Sequence, residues 1–432
     1  MGPACQRSID DRGFAPKTPV KGHPSLNDPG WCLIGRAGAG SLGGSLATPD
    51  LRNIQFSRIL LIKPSAVGDV VHTLPVLEKL RRRYPQARID WLLTPENALM
   101  IRGHPAVSNI LLFARREFSK DGRRLSAAAS ILDLVKEMQA ARYEMVIDLH
   151  GQLRSGLFSM VSQAPVRIGF DRPIQRSAST FQGRRLGNIP SRGWAGAREG
   201  SWLAYTHRIP IATLEAHAVE RNLWVGQLLG FDDEPPVFNL PINAEAEARI
   251  SQHLAEHSAR GRPLAIMAPG TMWETKHWTP EGFAGVARGL VENGFVPAII
   301  GSKGERALNG DIHARAPGST DFTGQTSLAD VVALIRRAAV VVTNDSGVMH
   351  IAAALGKPAI SIFGPTNPVH VGPYGQPRSV VRLDLPCSPC NYRRLVQCPN
   401  GHACMRELTV EMVMGRIREV MRSGGGRGIA NC

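Results

Sequence analysis

Long apolar runs are missing from this chain. No stretch is long enough to cross a bilayer, and Pro24, Pro29 and Gly30 interrupt such apolar residues as the first segment holds, so no secretory leader is indicated and a cytoplasmic protein is expected. Aromatic residues are scarce, at 6% of 432, too few to suggest a platform on which bases could stack. The basic groups Arg81-Arg82-Arg83, Arg115-Arg116 and Arg184-Arg185 are scattered as well, and no nucleic-acid partner is expected. No internal repeat is visible, which argues against solenoids and propellers. Acidic residues run short in one half only. Residues 1–210 hold 30 Lys and Arg against 16 Asp and Glu, whereas residues 211–432 hold 21 against 20. The basic half should therefore meet an acidic partner, such as an anionic membrane surface or an acidic acceptor molecule, while the second half handles something smaller.

Hydrophobic residues at 43% and charged residues at 20% describe a globular chain long enough for two domains. The segment Val340–Gly364 reads as strand, tight turn, helix and second strand. Val340, Val341 and Val342 form an apolar run of the kind buried in a parallel sheet, and Asp345-Ser346-Gly347 turns directly into an Ala-rich helix ending at Gly356. Unpaired N–H groups at such a helix start suit a diphosphate; Gly347 would let it approach the backbone, and His350 lies one turn inside. The ordinary alternative is an α/β crossover with Asp345 as N-cap and His350 in the core. Earlier, Arg58–Lys63 is another apolar strand, followed by Pro64-Ser-Ala-Val-Gly-Asp69 and a helical segment through Tyr84. Two such turns, one in each half, imply two α/β domains facing one another across a cleft, with the ligand at the carboxyl ends of the strands.

Residues 1–53, rich in Gly, Pro, Ser and Arg and without periodicity, read as a disordered extension. Beyond them, strands at 89–93, 110–113 and 145–149 with a helix at 127–141 give the βα alternation of a doubly wound parallel sheet. Gly151–Ser155 follows the last of these strands and belongs at the cleft edge, and 171–210 reads as a long mobile loop. A helix at 212–230 ends at Gly230, and Asp232–Pro236 is the linker. In the second domain, 264–269 and 296–300 are strands, with a helix between them that opens on Thr279-Pro280 and ends at Gly294. The final helix, near 408–422, is basic and is expected to pack back on the first domain. Four cysteines, Cys387, Cys390, Cys398 and Cys404, mark a loop that either encloses a structural zinc or is packed by reduced thiols. Their irregular spacing favours the thiols.

Lys276, between Trp273 and Trp278 in a strand-to-helix loop, should project over the same cleft as the Asp345 turn and neutralise phosphate as a point charge. With Asp69 pointing across as a base, the arrangement suits transfer of a sugar from a nucleotide diphosphate: cations for the departing diphosphate, a carboxylate for the attacking hydroxyl. Neither turn reads Gly-x-Gly-x-x-Gly, which disfavours a dehydrogenase; a nucleotide-sugar epimerase, another sugar transferase or a sugar-binding protein of the same two-lobed form stays open.

Four segments carry a family resemblance. Lys63-Pro-Ser-Ala-Val-Gly-Asp-Val-Val-His-Thr-Leu-Pro75, His217-Ala-Val-Glu-Arg-Asn222, Thr275-Lys-His-Trp278 and Asn344-Asp-Ser-Gly-Val-Met-His350, in this order, resemble the lipopolysaccharide heptosyltransferases of glycosyltransferase family 9. The first two look more like heptosyltransferase I, and the Asn344–Gly347 turn and cysteine loop more like heptosyltransferase II. The resemblance implies two Rossmann-like domains of the GT-B type: an acceptor domain at 54–235, a nucleotide-sugar domain at 236–405, and a C-terminal helix and tail at 406–432. It implies inverting transfer of L-glycero-D-manno-heptose from ADP-heptose to the Kdo or heptose inner core of lipopolysaccharide. By position, Asp69 matches the proposed base and Lys276 the donor-phosphate lysine. Asp345, Ser346, Gly347 and His350 match the donor turn, and Thr271, Glu305 and Thr326 fall where the nucleotide is contacted; Met272 replaces a hydroxyl residue. Lys63, Ser65, His72, Gln152 and Arg154 are assigned to the acceptor side. No Asp-x-Asp occurs in the chain, so no metal clamp and no cofactor beyond the donor are expected, and the expected location is peripheral, at the inner face of the cytoplasmic membrane.

Overall fold

A computed structural model describes residues 50–114, 124–174, 180–181, 184–185, 193–256 and 261–424. The chain forms two six-stranded sheets, each wholly parallel. The first contains β1 (Arg58–Ile62), β2 (Arg88–Leu93), β3 (Asn109–Leu112), β4 (Met145–Asp148), β5 (Val166–Phe170) and, beyond a two-stranded hairpin of β6 (Thr180–Phe181) and β7 (Arg184–Arg185), β8 (His207–Ile209), in the order β3-β2-β1-β4-β5-β8. The second contains β9 (Leu264–Ala268), β10 (Val296–Ile299), β11 (Thr320–Asp321), β12 (Ala338–Asn344), β13 (Ala359–Ile362) and β14 (Val380–Val381), in the order β11-β10-β9-β12-β13-β14. Ile59–Ile62 and Leu264–Ala268 are buried along their whole length, because helices cover both faces of a parallel sheet. The fold class expected from sequence, two Rossmann-like α/β domains, is the one observed.

Local signals act where they were legible. Thr279 accepts the Gly282 N–H through its hydroxyl, Pro280 opens the helix Pro280–Glu292, and Gly294 follows it at φ +83°. Ser327 and Asp330 cap the helix Leu328–Arg337 reciprocally.

Four expectations are corrected. Leu51–Asn53 form a 3-10 turn with Leu51 buried and Arg52 donating to the Gln227 carbonyl, so the folded part starts before residue 54; residues 1–49 lie outside the described residues. The expected loop at 171–210 contains an ordered turn at Ser201–Ala204 and the edge strand β8, too short for apolar alternation to reveal. The expected helix at 212–230 is two short ones, Ala218–Leu223 and Gly226–Leu229. The helix Val410–Gly424 packs on the second domain rather than the first. Gly285 and Gly289 of Pro280–Glu292 leave room for Val410 and Met414, which a Cβ would meet at 2.6 and 2.9 Å. Val413, Met414 and Ile417 join the second-domain core, each contributing on the order of 1.5–3 kcal/mol through burial. Between the domains, Lys79 donates to the carbonyls of Asp232 and Glu234 and pairs with the Asp232 carboxylate, pinning the linker.

Candidate active site

Each sheet reverses strand order between two central neighbours, β1 and β4 in the first, β9 and β12 in the second. Loops leaving such neighbours run to opposite faces and open a crevice between them. The segments that follow β1, β9 and β12 carry Asp69, Lys276 and Asp345, and the two crevices face each other across one cleft of about 1540 Å³.

Asp69 is the third residue of the helix Val67–Val71, and its Oδ2 accepts the Ala66 N–H at 3.1 Å. Lys63 stands beneath it: Nζ donates to the Leu149 carbonyl at 2.7 Å and lies 3.5 Å from Asp69 Oδ1. Burial in the cleft opposes ionisation, but Lys63, His150, the Ala66 N–H and His350 outweigh it and hold the carboxyl below its usual range. Its side chain keeps 45% of its surface exposed toward the cleft. Asp69 is thus an ionised carboxylate facing the space where a substrate would lie.

On the opposite wall, Lys276 Nζ pairs with Asp345 Oδ2 at 2.6 Å, and the Thr366 hydroxyl donates to the same carboxylate at 2.7 Å. Asp345 is therefore not the N-cap of the following helix, Gly347–Ala354. Ser346 occupies that position, its hydroxyl sharing a hydrogen bond with Thr343, and Asp345 aims the lysine instead. Thr271 donates to the Asp345 carbonyl at 3.2 Å, joining the two loops, and Lys276 Nζ lies 4.4 Å from the Trp273 ring centroid.

The domains meet where Val67–Val71 crosses Gly347–Ala354. A Cβ on Gly347 would sit 2.7 Å from Val67 Cβ, and one on Gly68 2.4 Å from His350 Cδ2. Gly347 is thus required by the close approach of the first domain. His72 Nε2 and His350 Nδ1 share a 2.9 Å hydrogen bond across this contact, and His217 donates to the Gly372 carbonyl at 3.0 Å. Burial pushes His350 and His217 down to about 4 and His72 well below its usual value, so all three are neutral at pH 7 and serve as interdomain hydrogen-bond partners.

Asp69, Thr271, Lys276, Glu305, Thr326, Asp345, Ser346, Gly347 and His350 all line the cleft. Of the five acceptor-side candidates only His72 does. Lys63 is turned beneath Asp69, Arg154 lies over the Phe113 ring at 5.7 Å, and Ser65 and Gln152 stand outside the lining. Trp194, with the Arg221 guanidinium 4.4 Å from its ring centroid, and Arg393 line the cleft without having been singled out; Arg221 lies within the His217–Asn222 segment already noted. The other two have no spacing signal. The cysteines at 387, 390, 398 and 404 are free thiols, and burial raises Cys390 and pushes Cys404 up to about 12. Among the described residues no group of three or more His, Cys, Asp or Glu is arranged to hold a metal ion.

Residues 176–400 match glycosyltransferase family 9 (heptosyltransferase). Lipopolysaccharide heptosyltransferase 1 of Pseudomonas aeruginosa is 31% identical, over 77% of this chain and 86% of the relative. The protein of the same name from Escherichia coli K12 is 26% identical, over 75% and 93%. Among solved structures, E. coli heptosyltransferase WaaC with ADP superimposes with a TM-score of 0.63 at 25% identity, covering 84% of this chain and 99% of that one. E. coli ADP-heptose LPS heptosyltransferase II superimposes at 0.62 and 21% identity, over 85% and 100%, and shares the fold.

Proposed function

The chain belongs to glycosyltransferase family 9, the heptosyltransferases, and we propose that it moves L-glycero-D-manno-heptose from ADP-heptose to the Kdo or heptose inner core of lipopolysaccharide, with inversion at the anomeric carbon. The observation that carries this reading is an ionised carboxylate, Asp69, facing a cation site at Lys276 across one cleft. Asp69 takes the proton of the acceptor hydroxyl while that oxygen bonds to the anomeric carbon, and the bond from that carbon to the diphosphate oxygen breaks with its electron pair leaving on ADP. Lys276 and the N–H groups opening Gly347–Ala354 stabilise the charge that grows on the leaving diphosphate. A single displacement from the face opposite the leaving group inverts the centre. Support for the donor comes from WaaC, described with ADP and with ADP-2-deoxy-2-fluoro heptose, and for the acceptor from the names of the curated relatives. The test is release of ADP from ADP-heptose. It should require Kdo-lipid A or a heptosylated inner core, and release indifferent to both acceptors would overturn the assignment.

The same reading places the protein in the cytoplasm, peripheral to the anionic inner face of the membrane that presents a lipid-anchored acceptor. Among the described residues no helix is long and apolar enough to cross a membrane. Leu153, Leu157 and Met160 instead form an exposed stripe on one face of the helix Leu153–Val161, beside Leu203, which is 76% exposed. Arg167 and Arg208 donate to the carbonyls of Ala204 and Trp202 on either side of Leu203; Arg208 also lies 3.8 Å from the Asp171 carboxylate, so it is Arg167 that brings positive charge to this apolar surface. Co-sedimentation with anionic vesicles should be strong at low salt and weak at 1 M, where the Debye length falls from about 10 Å to about 3 Å. Leu157→Ser with Leu203→Ser should weaken it, and deletion of residues 1–49 should not. Equal sedimentation with neutral vesicles would sink the idea.

A further inference from the structure

The cation expected to hold the diphosphate is already engaged. Lys276 Nζ lies 2.6 Å from a buried Asp345 carboxylate, so the pair contributes little net charge to the cleft. A sugar nucleotide's diphosphate is dianionic, and ADP departs with a further negative charge. On the bound-donor reading above, the site therefore requires positive charge from elsewhere.

Trp273 shows where it stands. Its ring centroid lies 4.4 Å from Lys276 Nζ and 4.7 Å from the Arg393 guanidinium carbon, so the two cations share one aromatic ring at the edge of the cleft. Arg393 is exposed, and among the described residues no carboxylate pairs with it. Its backbone is held on both sides. The Thr275 hydroxyl donates to the Tyr392 carbonyl, the Arg393 N–H donates to Gln397 Oε1 at 3.1 Å, and the Leu395 N–H donates to Glu274 Oε2 at 3.1 Å. His402, buried, donates to the Thr275 carbonyl at 2.7 Å from the far end of the cysteine-containing loop. The loop thus grips the Lys276 segment along its length and presents Arg393 beside the lysine.

We propose that Arg393 is a second diphosphate-binding cation of the donor site, supplied by the cysteine-containing loop, and that it carries the net positive charge Lys276 cannot. A guanidinium suits the task because its planar fork can contact two phosphate oxygens at once and is always charged. Trp273 acts as the positioning residue for both cations. The loop's function is then to place a charge, and its cysteines are packing groups.

The test compares the full-length wild type with Arg393→Gln and Arg393→Lys by calorimetric titration with ADP and with adenosine, alongside the donor KM. Arg393→Gln should weaken ADP tenfold or more, raise the donor KM in step, leave adenosine binding unchanged and reduce the salt dependence of ADP binding. Arg393→Lys should recover part of the loss. Because the side chain is exposed, thermal unfolding should match wild type. ADP affinity within twofold of wild type in Arg393→Gln would overturn the proposal while leaving the donor reading intact. So would an equal loss for adenosine, which would assign Arg393 to loop structure alone. Wild type that bound adenosine but gained nothing from the diphosphate would overturn the donor reading itself.

Discussion

Asp69→Asn should lower heptosyl transfer by about 10²–10⁴-fold, the range typical of losing a positioned general base, while the fold and ADP affinity stay near wild type. The separation is sharp because of what Asp69 does locally. Its carboxylate accepts the Ala66 N–H, and an Asn carbonyl can accept the same bond. What Asn cannot do is take a proton or pair with Lys63. The lowered carboxyl pKa also means that the wild-type base stays ionised through neutral and mildly acidic pH, so the base function should be lost only as pH falls through that depressed value. Transfer by the variant within a few-fold of wild type would reduce Asp69 to a residue of the helix start.

Lys276→Ala should have two separable consequences. Losing the ammonium from the diphosphate site should raise the barrier by about 2–4 kcal/mol and weaken ADP binding, since charge on the leaving group grows in the transition state. It also leaves Asp345, 5% exposed, as an uncompensated buried carboxylate, a cost on the order of 3 kcal/mol in stability. The double variant Lys276→Ala, Asp345→Asn removes that stranded charge. It should regain most of the thermal stability and none of the activity, as read by unfolding and by ADP release. Normal ADP affinity and turnover in Lys276→Ala would place the phosphate site elsewhere.

Much of the architecture was legible because it is written in short-range pattern. Ile59–Ile62 and Val340–Val342 are apolar without interruption, which only a strand covered on both faces accommodates, and Thr279-Pro280 and Gly294 bound one helix by their own backbone preferences. The weaker elements escaped. β8, β11 and β14 are two or three residues long and exist because a neighbouring strand offers its edge, not because their own residues demand extension. The C-terminal helix was misplaced for a related reason. Its amphipathic face announces burial but names no partner, and the recess made by Gly285 and Gly289 becomes recognisable only when Val410 and Met414 fill it.

The same division runs through the candidate site. That Asp69, Lys276 and the Asp345 turn would each follow a parallel strand is legible in the chain alone, since strand, loop and helix are contiguous and the carboxyl end of the strand is where such loops emerge. Which charge meets which depends on the assembled fold. Lys63, expected to face an acceptor, lies instead under Asp69; Asp345, which could have capped its own helix, is turned toward Lys276; Gly347 makes room for Val67 of the other domain. Arg393 reaches Trp273 through a loop far along the chain. Lys63 and Asp69 are six residues apart, but the other pairings join residues distant in sequence, and electrostatic and steric contacts depend on separation in space, which is set by how each sheet winds and how the two come to face one another.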